Sequence, residues 1–279
     1  MTSTSPSGTA AALAACRAAS PLVQCITNFV SMDIMANTLL AAGASPAMAH
    51  SIAEVEAFVS IASALLINVG TLSDGWVGGM KLGAQRAVEL SKPWVLDPVG
   101  CGATPYRSLI CAEMLQLKPT VVRGNASEIM ALAGAAGATT RGVDSTAAAT
   151  EALAAAKQLA AQHGCVVAVS GAEDLVTDGR RVLRVANGVP MLQQITASGC
   201  SGKQASCCAL TALIAAFVSQ FPQQPLEATA HALSYFGLAA ELAVSAGGVK
   251  GPGSLRVGLL DQLATMSEAE VLAGARVLE

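Results

Sequence analysis

Aromatic residues are scarce, 3% of the 279-residue sequence, so any core has to be assembled from Ala, Leu, Val and Ile. Charge is scarce as well: 13% of residues are ionic and the net charge is −3, which gives no electrostatic reason to expect nucleic acid or an anionic membrane as partner. The three histidines, His50, His163 and His231, lie far apart and outside any metal-ligand spacing, which argues against a structural zinc site. No Cys-x-x-Cys pair and no signal peptide accompany the eight cysteines (16, 25, 101, 111, 165, 200, 207 and 208). They read as buried or reactive thiols of a reducing compartment, with a cytoplasmic location expected, rather than as a disulfide framework. No apolar run is long enough to span a bilayer; Cys207 to Val218 is the longest and falls short.

What is abundant is small and apolar: 53% of residues are hydrophobic. Strand-length runs recur at Ala64 to Val69, Trp94 to Asp97, Thr120 to Arg123 and Cys165 to Ser170, separated by Ala-rich, helix-compatible segments. That alternation indicates βαβ units and an α/β fold with a central, mostly parallel sheet whose two faces are covered by helices. Residues 1–8 read as a disordered N-terminus, residues 9–20 as a first helix, and 9–279 as one domain without linker or repeat. Pro46-Ala47-Met48 and Gly70-Thr71 read as turn-like exits from apolar segments.

Polar residues cluster just past the apolar runs, at the sheet edge where open α/β sheets bind ligands. Asp97-Pro98-Val99-Gly100 and Arg123-Gly124-Asn125-Ala126-Ser127-Glu128 bring a carboxylate each to two strand ends, a pattern suited to a water-rich Mg²⁺ with an arginine for phosphate oxygens. Two local readings compete: Asp97 as a helix cap and Glu128 as half of a capping box. Ser170-Gly171-Ala172-Glu173-Asp174 forms a small-residue turn whose backbone could approach a nucleotide. Most prominent is Thr196 to Phe217, in which small residues and Gly199 leave the end of an expected strand and enter a helix-forming run. Such a helix mouth is an anion cradle, and a thiol in it would be partly ionised. The segment Ala197-Ser-Gly-Cys-Ser-Gly202-Lys203-Gln204 imitates a P-loop, but it lacks the first glycine and puts Gln204 where Ser or Thr should ligate Mg²⁺.

In this order the blocks Pro21 to Asn28, Gly43 to Met48, Asn68 to Thr71, Asp97 to Thr104, Arg123 to Glu128 and Lys250 to Ser254 resemble the hydroxyethylthiazole kinases, a ribokinase-like family, over almost the whole chain. The resemblance implies ATP- and Mg²⁺-dependent phosphorylation of the alcohol of 4-methyl-5-(2-hydroxyethyl)thiazole, and a homotrimer with active sites between subunits. It implies Asn28, Met48 and Ala197 as substrate contacts, and Arg123, Ser170 and Gly199 as nucleotide contacts, with Ser170 standing where others have Thr. Asp97 and Glu128 are implied around Mg²⁺, and Cys200 as the catalytic cysteine.

One departure stands out. In the family two residues separate the cysteine from the Thr-Ala-Leu-Ile-Ala-Ala-Phe helix, whereas here Ser201 to Cys208 intervenes, eight residues more. Keeping the cradle selects Cys200, which Gly199 favours by letting backbone approach a phosphate; keeping the helix register selects Cys208. Two other functions stay open at this level: a kinase for another vitamin-precursor alcohol such as hydroxymethylpyrimidine, and a nucleotide-binding homologue impaired by the insertion.

Overall fold

The apolar run Ala64 to Ile67 cannot leave either of its faces in water, and the strand Ala64–Asn68 that contains it lies inside one sheet with every residue buried. In the computed structural model, which describes residues 4–136, 145–195 and 208–279, that sheet has nine strands. They are β1 (Leu22–Ile26), β2 (Ser45–Ala47), β3 (Ala64–Asn68), β4 (Trp94–Asp97), β5 (Val121–Asn125), β6 (Val166–Ser170), β7 (Asp174–Thr177), β8 (Val182–Val185) and β9 (Val277–Leu278). The order is β2-β1-β3-β4-β5-β6-β7-β8-β9, parallel from β2 to β6 and antiparallel from β6 to β9.

The helices are α1 (Pro6–Ala19), α2 (Met32–Ala41), α3 (Val55–Ile61), α4 (Asp74–Glu89), α5 (Pro105–Gln116), α6 (Ala126–Ala135), α7 (Ser145–His163), α8 (Cys208–Gln220), α9 (Pro225–Ser245), α10 (Pro252–Thr265) and α11 (Glu268–Gly274). Because side chains alternate along a strand, the sheet feeds two cores. Leu65, Ile67, Trp94, Leu96 and Val122 pack with α3 to α7. Ala64, Leu66, Val95 and Val121 pack with α1, α2, α8, α9, α10 and α11. Helix α8 is apolar all round, buried from Cys208 to Val218, and packs on β1, β3 and β4 as well as α1, α2 and α9.

The expected architecture is present, with local differences that have physical causes. Helix α1 starts at Pro6 rather than residue 9, so part of the expected disordered N-terminus is helical; proline at N1 has the φ a helix start needs. Pro46 lies in the edge strand β2 rather than in a turn, a place where its missing N–H is tolerated. The expected strand before Thr196 is a 3₁₀ turn, Pro190–Gln194, opened by a proline that donates no ladder hydrogen bond. Asp97 caps no helix, since α5 starts eight positions later under Thr104, whose side chain accepts from the Arg107 N–H.

Candidate active site

Parallel register sets the site. Asn68 and Asp97 are directly paired at the carboxyl ends of β3 and β4, and Asn125 is paired with Ser170 at the ends of β5 and β6. Two neighbouring clusters result, one around Asp97 and one around Arg123.

In the first cluster Asp97 is fully buried. Its Oδ2 accepts from Asn68 Nδ2 at 2.8 Å and from Thr211 Oγ1 at 2.9 Å, while Oδ1 is buried with no partner among the described residues. Burial pushes this carboxyl up to about 6; the Arg123 charge pulls against that and the Glu128 charge adds to it. Cys208, the first residue of α8, places its Sγ 3.2 Å from Asn68 Nδ2 and 3.7 Å from Asn28 Nδ2, both within sulfur hydrogen-bond range. The α8 register that puts Cys208 here also puts Thr211, one turn on, against Asp97.

Asn28 is held rigidly. Its Oδ1 accepts the Val30 and Ser31 N–H groups at 3.1 and 3.0 Å, and its Nδ2 donates to Asn68 Oδ1 at 2.8 Å. Met48, just past β2, is half-buried against the core that contains α2 and α8. Beside Asn28, Trp76 donates its ring N–H to the Thr27 carbonyl at 2.9 Å and carries His50 stacked at 3.8 Å. Phe29 meets the Trp76 ring edge-on.

In the second cluster the Arg123 guanidinium is buried and donates from Nε to Ser170 Oγ at 2.9 Å. Both residues line a cavity of about 200 Å³, together with Asn125, Gly171 and Asp174 and the apolar Leu210, Leu233 and Phe236. Asp174 accepts the Gly171 N–H at 2.9 Å; burial raises its carboxyl to about 6, opposed by that hydrogen bond and by the Arg123 charge. An apolar slab facing a cation and a small-residue turn is the surface a base with attached phosphates requires.

Glu128 joins the clusters. The local reading holds: Asn125 and Glu128 form a capping box at the start of α6. The carboxylate does more, because Oε1 accepts the Gly100 N–H from the loop after β4 while Oε2 accepts the Asn125 N–H, each at 2.9 Å. Among the described residues no group of three or more His, Cys, Asp or Glu could enclose a metal. The Asp97 and Glu128 oxygens, one of them buried without a partner among the described residues, fit the few-ligand, water-rich habit of Mg²⁺ rather than a protein cage.

The structure thus brings Asn28 together with Asp97, and Arg123 together with Ser170. Ala197, Gly199 and Cys200 lie outside the described residues. Two participants carried no assigned role in the sequence. Asn68 ends an apolar strand as a neutral amide, and Thr211 sits within an otherwise apolar helix; a polar residue in a run buried on all sides is the signal that could have marked both.

A mostly parallel sheet with a buried acid, amide and thiol at its edge, next to a cavity bearing a cation, defines a small-molecule kinase of ribokinase-like fold. A ribokinase-like superfamily protein from Enterococcus faecalis shares that fold, with a TM-score of 0.57, 15% identity, and coverage of 88% of this chain and 87% of that one. At the level of sequence, the model of the Hydroxyethylthiazole kinase family matches residues 13–269, and the chain belongs to that family. It is 50% identical to hydroxyethylthiazole kinase of Arabidopsis thaliana over 271 residues, 97% of this chain and 95% of that protein. The structure of the Pyrococcus horikoshii hydroxyethylthiazole kinase protein superposes with a TM-score of 0.85 at 40% identity, covering 97% of this chain and 98% of that one.

Proposed function

We propose that the chain transfers the γ-phosphoryl group of ATP to the primary alcohol of 4-methyl-5-(2-hydroxyethyl)thiazole, a salvage step toward thiamine in the cytoplasm. The observation that carries this reading is the adjacency of the Asp97–Asn68–Cys208 cluster to the Arg123–Ser170 cavity along one sheet edge. Asn28 and Met48 border the alcohol's pocket, with Ala197 a further contact. Arg123 and Ser170 take phosphate oxygens, with backbone N–H groups from Gly199 onward as additional donors. Asp97 and Glu128 would hold a Mg²⁺, whose contribution when bound is to neutralise charge on the phosphate oxygens.

Catalysis is then mainly positioning: a buried arginine meets the spread-out charge of the transferring group, and the alcohol is held in line with it. Cys208 is the cysteine we assign to the reacting hydroxyl, because its sulfur already sits among Asn28, Asn68 and the Asp97 pair at the first turn of α8. The choice is open to direct test. Cys208→Ala is expected to lower kcat at least about tenfold more than Cys200→Ala, as removal of a group that assists proton transfer would; the opposite ranking returns the role to Cys200.

Release of ADP measured against a panel of alcohols tests the substrate. The thiazole alcohol should be the fastest; equal rates with hydroxymethylpyrimidine would broaden the assignment, and ATP binding without release would mark an impaired homologue. We also propose a homotrimer. Phe29 and Val30, next to Asn28, leave 64% and 63% of their surface exposed, an apolar rim suited to a neighbouring subunit. A fully active monomer in sedimentation would remove that assembly.

A further inference from the structure

The side chain of Asn68 uses all four of its hydrogen-bonding capacities, and its orientation is fixed by chemistry. A backbone N–H can only donate, so the atom 2.9 Å from the Gly70 nitrogen must be the amide oxygen. That same oxygen accepts from Asn28 Nδ2 at 2.8 Å. The amide nitrogen is therefore turned the other way, with one hydrogen for Asp97 Oδ2 at 2.8 Å and one for Cys208 Sγ at 3.2 Å. The residue is completely buried, so no water competes for these bonds.

We propose that Asn68 is a positioning residue for phosphoryl transfer, its single NH₂ group fixing the spacing between the Asp97 carboxylate and the Cys208 sulfur and favouring the ionised sulfur. The proposal rests on the kinase reading above and deepens it. In the transfer the alcohol oxygen forms the new P–O bond, and the bond from the γ-phosphorus to the bridging oxygen breaks with its electron pair leaving on ADP. The hydroxyl proton passes to the Cys208 thiolate. Asn68 exchanges no proton and forms no bond to the transferred group; it acts through the sulfur that takes the proton. An N–H donated to sulfur is stronger when the sulfur is anionic, so the Asn68 bond favours that state. Asn28 donates to the sulfur as well, at the longer 3.7 Å, so its contribution is the smaller of the two.

The test uses the full-length protein and two variants. Asn68→Ala should reduce kcat about 100-fold, the scale of losing one buried, preorganised donor, while KM for ATP stays within about twofold. In a Cys208→Ala background the same substitution should cost less than about threefold, since groups that act through one another are not additive. Alkylation of Cys208 by iodoacetamide at pH 7, followed by peptide mass in the absence of substrates, should slow about tenfold in Asn68→Ala. If Asn68→Ala does not fold, Asn68→Asp, which keeps an oxygen for the Gly70 and Asn28 donors but has no NH₂, is read the same way. A full-size loss of kcat in the Cys208→Ala background, or an alkylation rate that is unchanged or faster, overturns the proposal. Should the unsubstituted protein release no ADP with the thiazole alcohol, the substrate reading fails, while the alkylation comparison still decides the role of Asn68.

Discussion

A Cβ added at Gly70 would lie 2.7 Å from the Asn28 Cβ and 2.8 Å from its Nδ2, closer than side-chain atoms pack. Gly70→Ala should therefore push Asn28 off both Asn68 and the α2 start, costing about 1–3 kcal/mol in urea unfolding as overpacking does. Another single-residue effect concerns protons. The Asp174 carboxyl is raised to about 6 from an ordinary 3.8, chiefly by burial, so between those values the folded chain holds a proton that the unfolded chain has lost. Its contribution to stability is complete below about pH 4 and is lost as pH rises through about 6. Unfolding midpoints measured from pH 4 to 6.5 should fall less steeply for Asp174→Asn than for the unsubstituted protein. The residues that sequence made legible are the ones whose charge breaks an apolar run at a strand end: Asp97, Arg123 and Glu128. The choice between the two cysteines was not legible, because Gly199 and the small residues after it suit a helix mouth equally well. What brings Cys208 to Asn68 is tertiary: the bond from Thr211 to Asp97 sets the register of α8.

Helix α9 lines the cavity beside Arg123 and also braces the loop at its rim. Glu241 accepts the Gly188 N–H at 2.6 Å and pairs with Arg276 at 2.5 Å, while Asn187 takes the Ser234 hydroxyl and the Arg276 N–H, each at 2.7 Å. Gly237 of the same helix lets this loop come close: an added Cβ would stand 2.6 Å from the Asn187 carbonyl. Since Gly188 and Val189 line the cavity, Glu241→Ala is expected to raise KM for ATP about tenfold, with a much smaller change in kcat, the pattern of lost uniform binding. Among elements, β3 to β6 were readable because strands buried on both faces must be continuously apolar. The strands β7 (Asp-Leu-Val-Thr) and β8 (Val-Leu-Arg-Val) are as short as β4 but are broken by polar residues, which leaves no continuous apolar run to set them apart from loop, and β9 is two residues. Pro46 and Pro190 misled in opposite directions, one read as a turn within a strand, the other missed as the opening of a 3₁₀ turn.

For the molecule as a whole, the two cores share one sheet, so a ligand bound along its carboxyl edge would be coupled to both. Binding of ATP to the native state alone should stabilise the entire chain by about 2.7 kcal/mol at a hundredfold excess over Kd, read as one cooperative rise in Tm. Two arginines tie distant parts of the chain through backbone carbonyls. Arg17 of α1 donates to the carbonyls of Met266 at 3.0 Å and Leu263 at 3.1 Å, at the end of α10 where carbonyls lack helical partners. Arg107 of α5 donates to the Val69 carbonyl, to Val99 at 3.0 Å and to Gly70 at 3.2 Å. One planar cation thus fastens the loop after β3 to the loop after β4, which a lysine's point charge cannot reproduce. The two loops are consequently one oscillator rather than two. Relaxation dispersion at the Val69, Gly70 and Val99 amides should fit a single exchange rate, and Arg107→Lys should split it into separate rates for the two segments.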